Sequence, residues 1–441
     1  MYRIPLTLFV VLSLSVLSAR PAAANAVIQW NANAGKAAVA ACISPADDPL
    51  HESRLYAMTH IAIHDALNAI DRRSRPYAFN ATAAGPVSVD AAVAAAARAV
   101  LVTEIAAIPA PFSQVCLDAG IASVNADYAA ALAGIAPGDA RTNGIALGQA
   151  AAAAIIARRM EDGSDTPLLD LGYDEGSAPG EYRFTPGFNF AFAPGWADVT
   201  PFVLKRSSQF RARPPYNLRS ARYTQDFNEV KTFGGDGVTT PSIRTPEQTQ
   251  IGLFWLESSP LAWNRLARTV AESQGLGAWE SARLFGLLNM ALADGYIGSW
   301  ETKYYYRFWR PVTAIHEADS DGNPNTIADP TWTPLQLTYP IPDHDSAHSV
   351  EGAAAAEVLA QFFGRDDIAF EACSLSLPVG SRCSDAVPVL RSYTSFSQAA
   401  DENAISRVYV GIHFRNASEE GVKHGSKIGR RAVNLFMRPV H

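Results

Sequence analysis

The sequence predicts an all-α protein, built as a large helical bundle with long irregular connections. Over most of the 441-residue chain, apolar residues recur at the three- and four-residue spacings of amphipathic helices. Several stretches are rich in alanine, which favours the helix, and the segments between helices are rich in glycine and proline. Because 48% of the residues are hydrophobic and no repeat or low-complexity linker divides the chain, residues 27–441 are expected to form one domain.

Helical periodicity is clear in the N-terminal part of the chain. The predicted helices span residues 53–70, 91–108, 112–132 and 139–160. Pro109 ends the second of them, and Pro137-Gly138 separates the last two. From about residue 163 to residue 239 no period persists. This segment is predicted to be an irregular excursion that packs on the helical body and covers or shapes a pocket.

The C-terminal part returns to helical periodicity. The predicted helices span residues 245–272, 279–309, 346–363, 397–410 and 418–437. Asp345 or Ser346 can cap the third of these helices, because short oxygen side chains accept hydrogen bonds from its first free amides. Residues 366–388 are predicted to form a loop.

The net charge and the N-terminus suggest where the protein acts. A formal net charge of −7 argues against a nucleic-acid partner and gives no support for a basic membrane-binding patch. Arg3, the apolar stretch 6–17 and Ala24-Asn25-Ala26 are typical of a secretory signal over residues 1–26. We therefore expect an exported protein, periplasmic or extracellular, without stable membrane insertion once the signal is removed. An uncleaved anchor is the alternative.

Four cysteines are consistent with export. They are Cys42, Cys116, Cys373 and Cys383, and none lies in a metal-type C-x-x-C motif. Three disulfide pairings are possible, and buried free thiols are a further possibility. We favour Cys42 with Cys116, which closes a long loop, and Cys373 with Cys383, which closes a short one.

Groups suited to binding a phosphate-shaped oxyanion are concentrated in the C-terminal third. They are Lys303 with Arg310-Pro311, Ser346-Ala347-His348, Ser406-Arg407, and His413. Guanidinium and ammonium groups match oxyanion charge, a helix N-terminus offers free amides, and histidine titrates near neutral pH. Each motif alone is common in surface or core positions. Together they predict that these side chains meet around one cavity.

The order of these motifs resembles a known signature. The pattern K-x6-R-P, then S-x-H, then S-R-x5-H is similar to that of the superfamily of vanadium-dependent haloperoxidases and type 2 phosphatidic acid phosphatases. The motif-bearing region covers about residues 280–437. The chain resembles the bacterial haloperoxidase-like branch in its length and its N-terminal signal. The local sequences around the motifs, KYYYRFWRPVTAIH and SRVYVGIHFR, resemble that branch as well. The resemblance implies the helical bundle of that superfamily.

The resemblance also implies a vanadate cofactor, with phosphate able to occupy the same site. Lys303, Arg310 and Arg407 would neutralise the equatorial oxygens of the anion. The hydroxyl of Ser346 and the amide of Ala347 would donate hydrogen bonds to it. Such cations and donors would stabilise charge on a five-coordinate centre.

The resemblance implies distinct roles for the two histidines, His413 and His348. His413 would bind vanadium, or attack phosphorus in a phosphatase, and His348 would act as the acid–base. Two positions depart from the superfamily pattern: Ala347 replaces a usual glycine, and Ala417 replaces the aspartate that orients the nucleophilic histidine in phosphatases. Asp294 is a possible substitute carboxylate.

Four functions are therefore open from the sequence. The favoured hypothesis is a vanadate-dependent haloperoxidase that oxidises a halide with hydrogen peroxide. The nearest alternative is an acid phosphatase acting on a soluble phosphomonoester through a phosphohistidine. His344 and His348 have the i, i+4 spacing of a divalent-metal hydrolase, whereas His60 and His64 are predicted to be core histidines. A non-catalytic phosphate-binding protein is the fourth. The sequence specifies neither the halide nor the oligomeric state.

Overall fold

The computed structural model describes residues 25–45 and 47–440, and this part of the chain is mainly helical. Its thirteen helices are α1 (Ala26–Ala40), α2 (Pro49–Ile70), α3 (Val89–Ala106), α4 (Gln114–Ala133), α5 (Asp139–Arg159), α6 (Ala221–Phe233), α7 (Pro246–Phe254), α8 (Ser259–Ser273), α9 (Ala278–Tyr306), α10 (Pro311–His316), α11 (Ala347–Phe363), α12 (Phe396–Tyr409) and α13 (Arg415–Leu435). The strands form two small antiparallel sheets: β1 (Leu169–Asp170) pairs with β2 (Ala191–Phe192), and β3 (Phe370–Ala372) pairs with β4 (Arg391–Tyr393). The predicted all-α fold is confirmed. Residues 1–24, most of the predicted signal, lie outside the described residues.

One helix predicted from the sequence is two helices in the structure. The predicted span 245–272 breaks between α7 and α8, where the chain leaves the helix at Trp255. Pro260 lies in the first turn of α8. Because proline has no N–H and its ring clashes with the carbonyl four residues earlier, it is tolerated only where a helix begins.

The chain also turns between the first two predicted cations. α9 ends at Tyr306, and Arg307 adopts a left-handed conformation with φ of 47°. Arg310 is the N-cap of α10, in extended backbone, because the residue before a proline disfavours the helical region. The seven-residue spacing of Lys303 and Arg310 would place them two turns apart on a continuous helix, but the two residues do not share a helix. The turn, rather than a helix face, brings Arg310 into the core.

A similar turn separates the last two motif residues. α12 ends at Tyr409, Gly411 has a φ of +81°, and α13 begins at Arg415. The six-residue spacing of Arg407 and His413 approximates two helical turns, but these residues do not share a helix either. His413 lies in the connection, where a Cβ on Gly411 would meet the carbonyl oxygen of Gly234 at 2.5 Å.

Close packing of α11 against α13 positions this connection. Gly421, Gly425 and Gly429 recur every four residues on α13 and face α11. A Cβ on Gly425 would lie 2.0 Å from the carbonyl oxygen of Val350, so only glycine allows this approach. The amide of Ser346 donates to the carbonyl of Ala417 at 3.0 Å. The ridge of glycines therefore holds the start of α11 beside the start of α13.

The irregular excursion is present, with one helix at its end. The segment from residue 163 carries β1, β2 and two short 3-10 turns, and α6 follows at Ala221–Phe233. Sequence periodicity had not indicated α6, although Ser220 caps it and Tyr223, Phe227 and Val230 are buried at helical spacing. The first part of the excursion lines the cavity described below.

Both favoured disulfides are confirmed. Cys42 pairs with Cys116, and Cys373 pairs with Cys383, with Cα–Cα distances of 5.6 and 5.2 Å. The first bond ties the end of α1 to α4. Within residues 25–45 and 47–440, no helix combines the length and the hydropathy that a membrane crossing demands.

A buried carboxyl group in α2 should make stability depend on pH. Glu52 is fully buried, accepts hydrogen bonds from Ser44 and Ser258 at 2.5 Å each, and its burial raises the pKa to about 8. Because the folded pKa exceeds the ordinary value, the native state binds a proton that the unfolded state releases. This contribution to stability is complete below about pH 4.5 and is lost as pH rises through 8.

Glu52→Gln should therefore flatten the alkaline loss of stability. We expect wild type to lose a few kcal/mol more than the variant between pH 5 and pH 9, measured by urea unfolding. Glu280→Gln, which removes an exposed carboxylate, serves as the control. Parallel pH curves for wild type and Glu52→Gln would contradict this assignment.

Candidate active site

Arg310, Asp343 and His413 form the centre of the site. His413 Nδ1 lies 2.7 Å from Asp343 Oδ1, and Arg310 Nη1 lies 3.0 Å from His413 Nε2. Arg310 also donates to the carbonyls of Ile341, at 2.6 Å, and Ile412, at 2.8 Å. The guanidinium is 1% exposed, so these bonds fix its orientation.

The contacts of His413 define its protonation. Because a guanidinium can only donate, Nε2 keeps its lone pair toward Arg310, and Nδ1 carries the hydrogen toward Asp343, whose pKa is raised to about 7 by burial. Burial and the charges of Arg310, Lys303 and Arg407 hold the pKa of His413 well below its usual range. The imidazole is therefore neutral, with an unprotonated Nε2 beside Arg310. This arrangement suits a nitrogen ligand or a nucleophile.

Lys303 approaches the same centre from the last turn of α9. Its ammonium is fully buried and donates to the carbonyls of Pro342 at 3.1 Å, Asp343 at 3.0 Å, and Asp345. Burial and the neighbouring Arg310 lower the pKa of Lys303 to about 7. Among the described residues, no carboxylate lies within 4.0 Å of this ammonium. Lys303 thus holds residues 342–345 in place and adds positive charge to the centre formed by Arg310, Asp343 and His413.

Arg407 contributes a second buried cation. It is 1% exposed, and it donates to Ser406 Oγ at 3.0 Å and to the carbonyl of Trp255 at 2.7 Å. Burial lowers the pKa of Arg407 to about 10, which leaves it charged at neutral pH. In the part of the chain that the structure describes, its guanidinium has no carboxylate within salt-bridge distance. A buried unpaired charge is costly, and an anion would relieve that cost.

The start of α11 supplies neutral donors. Ser346 is the N-cap, but its hydroxyl makes no capping bond and has no partner among the described residues. Ala347 is the first helical residue, so its backbone is not in the left-handed region and alanine replaces glycine without strain. The first amides of a helix lack internal partners. This N-terminus therefore offers N–H groups and one hydroxyl to an anion.

His348 borders the cavity beside these donors. Its Nε2 lies 3.3 Å from the carbonyl of Glu257, so Nε2 carries the hydrogen and Nδ1 keeps a lone pair. Burial, followed by the charge of Arg407, holds the pKa of His348 well below its usual range. His348 is consequently a neutral base at neutral pH.

These groups surround one cavity of about 530 Å³. Lys303, Arg310, Ala347, His348 and His413 all line it, whereas Ser346 and Arg407 are not part of the lining. Ser346 directly precedes Ala347, and the charge of Arg407 acts on both His348 and His413. The structure thus brings residues of the three separated motifs to one cavity.

The structure places the remaining predicted residues elsewhere. Asp294 accepts hydrogen bonds from the amides of Phe202, Val203 and Leu204 at 2.6–2.7 Å, and so anchors the excursion rather than His413.

His60 and His64 are buried polar residues of α2, bonded to Asn31, Asp65 and Ser74. His344 Nε2 lies 2.7 Å from the carbonyl of Arg213. Residues 25–45 and 47–440 contain no cluster of three potential metal ligands.

Asp343 is the functional residue that sequence reasoning missed. The phosphatase pattern places the orienting carboxylate four residues after His413, but this chain has Ala417 there. Asp343 precedes Ser346 by three residues and follows the rigid Pro340-Ile341-Pro342 segment. Its position just before a predicted anion-binding helix N-terminus is the sequence feature that could have identified it.

Comparison with known proteins agrees with this geometry. Residues 283–441 match the sequence model of the family described as the VCPO second helical-bundle domain. A curated relative, the vanadium chloroperoxidase of Curvularia inaequalis, is 24% identical over 280 residues, which make up 51% of this chain and 45% of that protein. The chain therefore matches less than half the length of this relative.

Solved structures extend the likeness over nearly the whole chain. A bacterial vanadium-dependent iodoperoxidase superposes with a TM-score of 0.74 at 24% identity, covering 94% of this chain and 96% of that one. A holo-type bacterial vanadium-dependent chloroperoxidase gives a TM-score of 0.69 at 16% identity, covering 91% and 94%. The fold is that of the vanadium haloperoxidases, and the resemblance inferred from the motifs is confirmed.

Anion binding at this haloperoxidase-like site should weaken at alkaline pH. Lys303 is protonated below its pKa of about 7 and loses its charge as pH rises through that value. Sulfate is a suitable probe because it remains a dianion throughout this interval. We expect sulfate affinity, measured by calorimetry, to fall by about tenfold from pH 6 to pH 8.5, since one of the buried cations beside the cavity loses its charge.

Lys303→Met isolates this effect. The variant should bind sulfate weakly at both pH values and show a much smaller change between them. Lys423→Met, which removes an exposed lysine paired with Glu420, is the matched control. Equal pH dependence in wild type and Lys303→Met would show that another group controls binding.

Proposed function

We propose that this protein is an exported vanadate-dependent haloperoxidase that oxidises a halide with hydrogen peroxide. The observation that carries the proposal is the environment of His413. Its neutral imidazole has an unprotonated Nε2, set by Asp343, among three buried cations. The family match and the fold of the relatives agree with this chemistry.

The residues present fit vanadate. A tetrahedral oxyanion needs hydrogen-bond donors and positive charge. Within residues 25–45 and 47–440 the hydroxyl of Ser346 has no partner, and the first amides of α11 and the buried guanidinium of Arg407 add further donors. Arg310 and Lys303 would neutralise its oxygens, and His413 Nε2 would hold the metal. Vanadate, when bound, supplies a Lewis acid that activates peroxide toward a halide without changing its own oxidation state.

Proton transfer falls to His348. The overall reaction consumes one proton: hydrogen peroxide, halide and a proton give hypohalous acid and water. His348 is neutral, so its Nδ1 can accept a proton from incoming hydrogen peroxide and return it to the hydroxide that leaves as water. The carbonyl of Glu257 fixes the ring while this exchange occurs.

The test compares two activities on the same purified protein. With vanadate and hydrogen peroxide present, we expect oxidation of iodide, bromide or chloride, with triiodide formation as the simplest readout. Protein loaded with phosphate instead of vanadate should lack this activity. Release of phosphate from p-nitrophenyl phosphate without any halide oxidation would refute the proposal.

An acid phosphatase acting on a soluble phosphomonoester is the second candidate. One observation favours it: Asp343 supplies the orienting carboxylate that Ala417 does not provide. With Nε2 unprotonated, His413 could attack phosphorus and form a phosphohistidine. Rapid denaturation in alkali during p-nitrophenyl phosphate turnover would trap that covalent intermediate only in this case, because the P–N bond of a phosphohistidine is stable to base and labile to acid.

Export can be tested at the N-terminus of the secreted protein. Asn25 caps α1 by accepting from the amides of Val27 and Ile28, and its side chain donates to the carbonyl of Leu276 at 2.9 Å. Cleavage after Ala26 would remove this cap, whereas cleavage after Ala24 would retain it. N-terminal sequencing of protein from the culture medium or periplasm distinguishes these products, and purely cytosolic protein would contradict export.

A further inference from the structure

A buried carboxyl group reaches the cavity through one serine hydroxyl. Glu52 of α2 is fully buried, and each of its oxygens lies 2.5 Å from a serine, Oε1 from Ser44 Oγ and Oε2 from Ser258 Oγ. Ser258 lines the cavity beside His413, whereas Ser44 does not belong to the described lining. The carboxyl group is therefore one hydrogen bond away from a residue of the cavity wall, on the Ser258 side only.

Ser258 has a fixed position in this wall. Its amide donates to the carbonyl of Pro45 at 2.5 Å. Ser258 is the N-cap of α8, yet its hydroxyl makes no capping bond with that helix, so the hydroxyl serves Glu52 instead. The preceding residue, Glu257, supplies the carbonyl that contacts His348. Ser258 thus follows directly the residue that holds the acid–base histidine.

Glu52 keeps a proton at neutral pH. Burial raises its pKa to about 8 despite the two serine bonds, and the facing charges of Glu257 and Asp48 act in the same direction as burial. The titratable groups that face it from α2 and α9 are the phenols of Tyr56 and Tyr296, which burial keeps neutral by raising their pKa values. The protonated carboxyl group donates to one serine and accepts from the other, whereas the carboxylate accepts from both.

The basic groups of the site are poor proton donors by comparison. Burial and then the buried cations hold the pKa values of His348 and His413 well below their usual range. Lys303 donates the hydrogens of its ammonium group to three backbone carbonyls. A group that delivers a proton at neutral pH needs a pKa near or above that pH. Glu52 meets this condition and adjoins the same cavity.

Halide oxidation uses one more proton than His348 supplies. His348 returns to the leaving hydroxide the proton that it takes from hydrogen peroxide, so its own protonation is unchanged after one turnover. The overall reaction still consumes one proton, which ends on the oxygen of hypohalous acid. A donor of this second proton has to border the cavity in which the acid forms.

Resting on the proposed haloperoxidase function, we propose that Glu52 stores the proton that the reaction consumes and delivers it through the hydroxyl of Ser258. In the delivery step the O–H bond of Ser258 breaks, and its proton forms the O–H bond of hypohalous acid. The O–H bond of the Glu52 carboxyl group breaks at the same time, and that proton restores the serine hydroxyl. No atom is oxidised or reduced in this step. Between turnovers the carboxylate takes a proton back from solvent in the cavity through the same hydroxyl.

The experiment compares the two serines that share this carboxyl group. Ser258→Ala breaks the link to the cavity, and Ser44→Ala, the matched control, removes an equal hydrogen bond from Glu52 without touching the described lining. With vanadate, peroxide and iodide at pH 7, we expect Ser258→Ala to lower kcat for triiodide formation about tenfold and to change KM by less than about twofold. Ser44→Ala should keep the wild-type kcat, and Ser258→Thr, which restores a hydroxyl, should recover most of it.

The pH profile separates proton supply from a structural role. As pH falls, hydronium in the medium replaces the internal donor, so the deficit of Ser258→Ala should shrink from about tenfold at pH 7 to about twofold at pH 5. Glu52→Gln, which keeps the shape of the side chain but carries no acid, should show the same deficit and the same recovery. An equal loss at both pH values, or an equal loss in Ser44→Ala, would overturn the inference and leave the proposed function intact.

Infrared spectroscopy on protein without vanadate gives a readout that does not depend on the reaction. The difference between wild type and Glu52→Gln should contain the C=O stretch of a protonated carboxyl group at pH 6, which is lost as pH rises through about 8. The subtraction removes the other buried acids, such as Asp294 and Glu351, because both proteins contain them. An ionised Glu52 at pH 6 would overturn the inference alone. Wild-type protein with the protonated band but without halide oxidation would refute the proposed function and the proton delivery together.

Discussion

Replacement of His413 by alanine should abolish halide oxidation and weaken vanadate binding at least about 100-fold. Loss of a hydrogen-bond partner behind a metal ligand already costs 10- to 100-fold, and loss of the ligand itself should cost more. In the alanine variant Arg310 Nη1 also loses one of its two acceptors, His413 Nε2 at 3.0 Å, and keeps the carbonyl of Ile412. Vanadate affinity by calorimetry and triiodide formation are the two measurements.

His316→Ala is the control for this variant. His316 is partly buried and bonded to the carbonyl of Trp332 at 2.8 Å, and it does not line the cavity. Circular dichroism should show the same helix content for both variants. Vanadate-dependent turnover in folded His413→Ala protein would remove His413 from the proposed mechanism.

Asp343→Asn should reduce vanadate affinity and halide oxidation by about 10- to 100-fold. Asp343 holds the hydrogen of His413 on Nδ1 through a 2.7 Å contact, and this contact leaves Nε2 unprotonated. An asparagine amide can donate to Nδ1 instead, which would move the hydrogen to Nε2 and block it. The carboxylate also offsets the charge of Arg310 at 3.9 Å.

Asp226→Asn provides the comparison. Asp226 is a buried aspartate that accepts from the amide of Asn416 at 2.8 Å and makes no contact with His413. The two variants share the loss of a buried carboxylate, so a difference between them reports on His413. Equal effects on vanadate affinity would indicate that Asp343 acts only through stability.

Most helices could be predicted because their buried faces leave a period in the sequence. The N-terminal prediction 139–160 differs from α5 by one residue, and 346–363 agrees with α11 and its cap. α1 was not predicted, because Asn31, Asn33 and Gly35 interrupt its apolar pattern although all three are buried. The break before α8 was missed because its apolar period continues across Pro260, and the break depends on a local steric conflict.

The motif residues could be predicted, but their arrangement could not. Asp343 and His413 are 70 residues apart in the sequence, and tight turns after α9 and α12 bring them together. Spacing patterns contain no information about such turns. The phenylalanines that line the cavity, Phe188, Phe190 and Phe192, were likewise not predicted as lining residues. Alternating phenylalanines in a segment without helical periodicity do not by themselves indicate a cavity.

The exposed turn at Gly275 lies between two sets of residues that the cavity needs together. Phe112, Phe190 and Ser258 precede this turn, whereas Lys303, His348 and His413 follow it. Gly275 has a φ of +65° and no neighbouring atom within 4 Å of an added Cβ. A polypeptide cut at this point would yield two fragments, each of which would contain only some of the residues that line the cavity. Colour formation from iodide would then report their reassembly, as in a complementation assay.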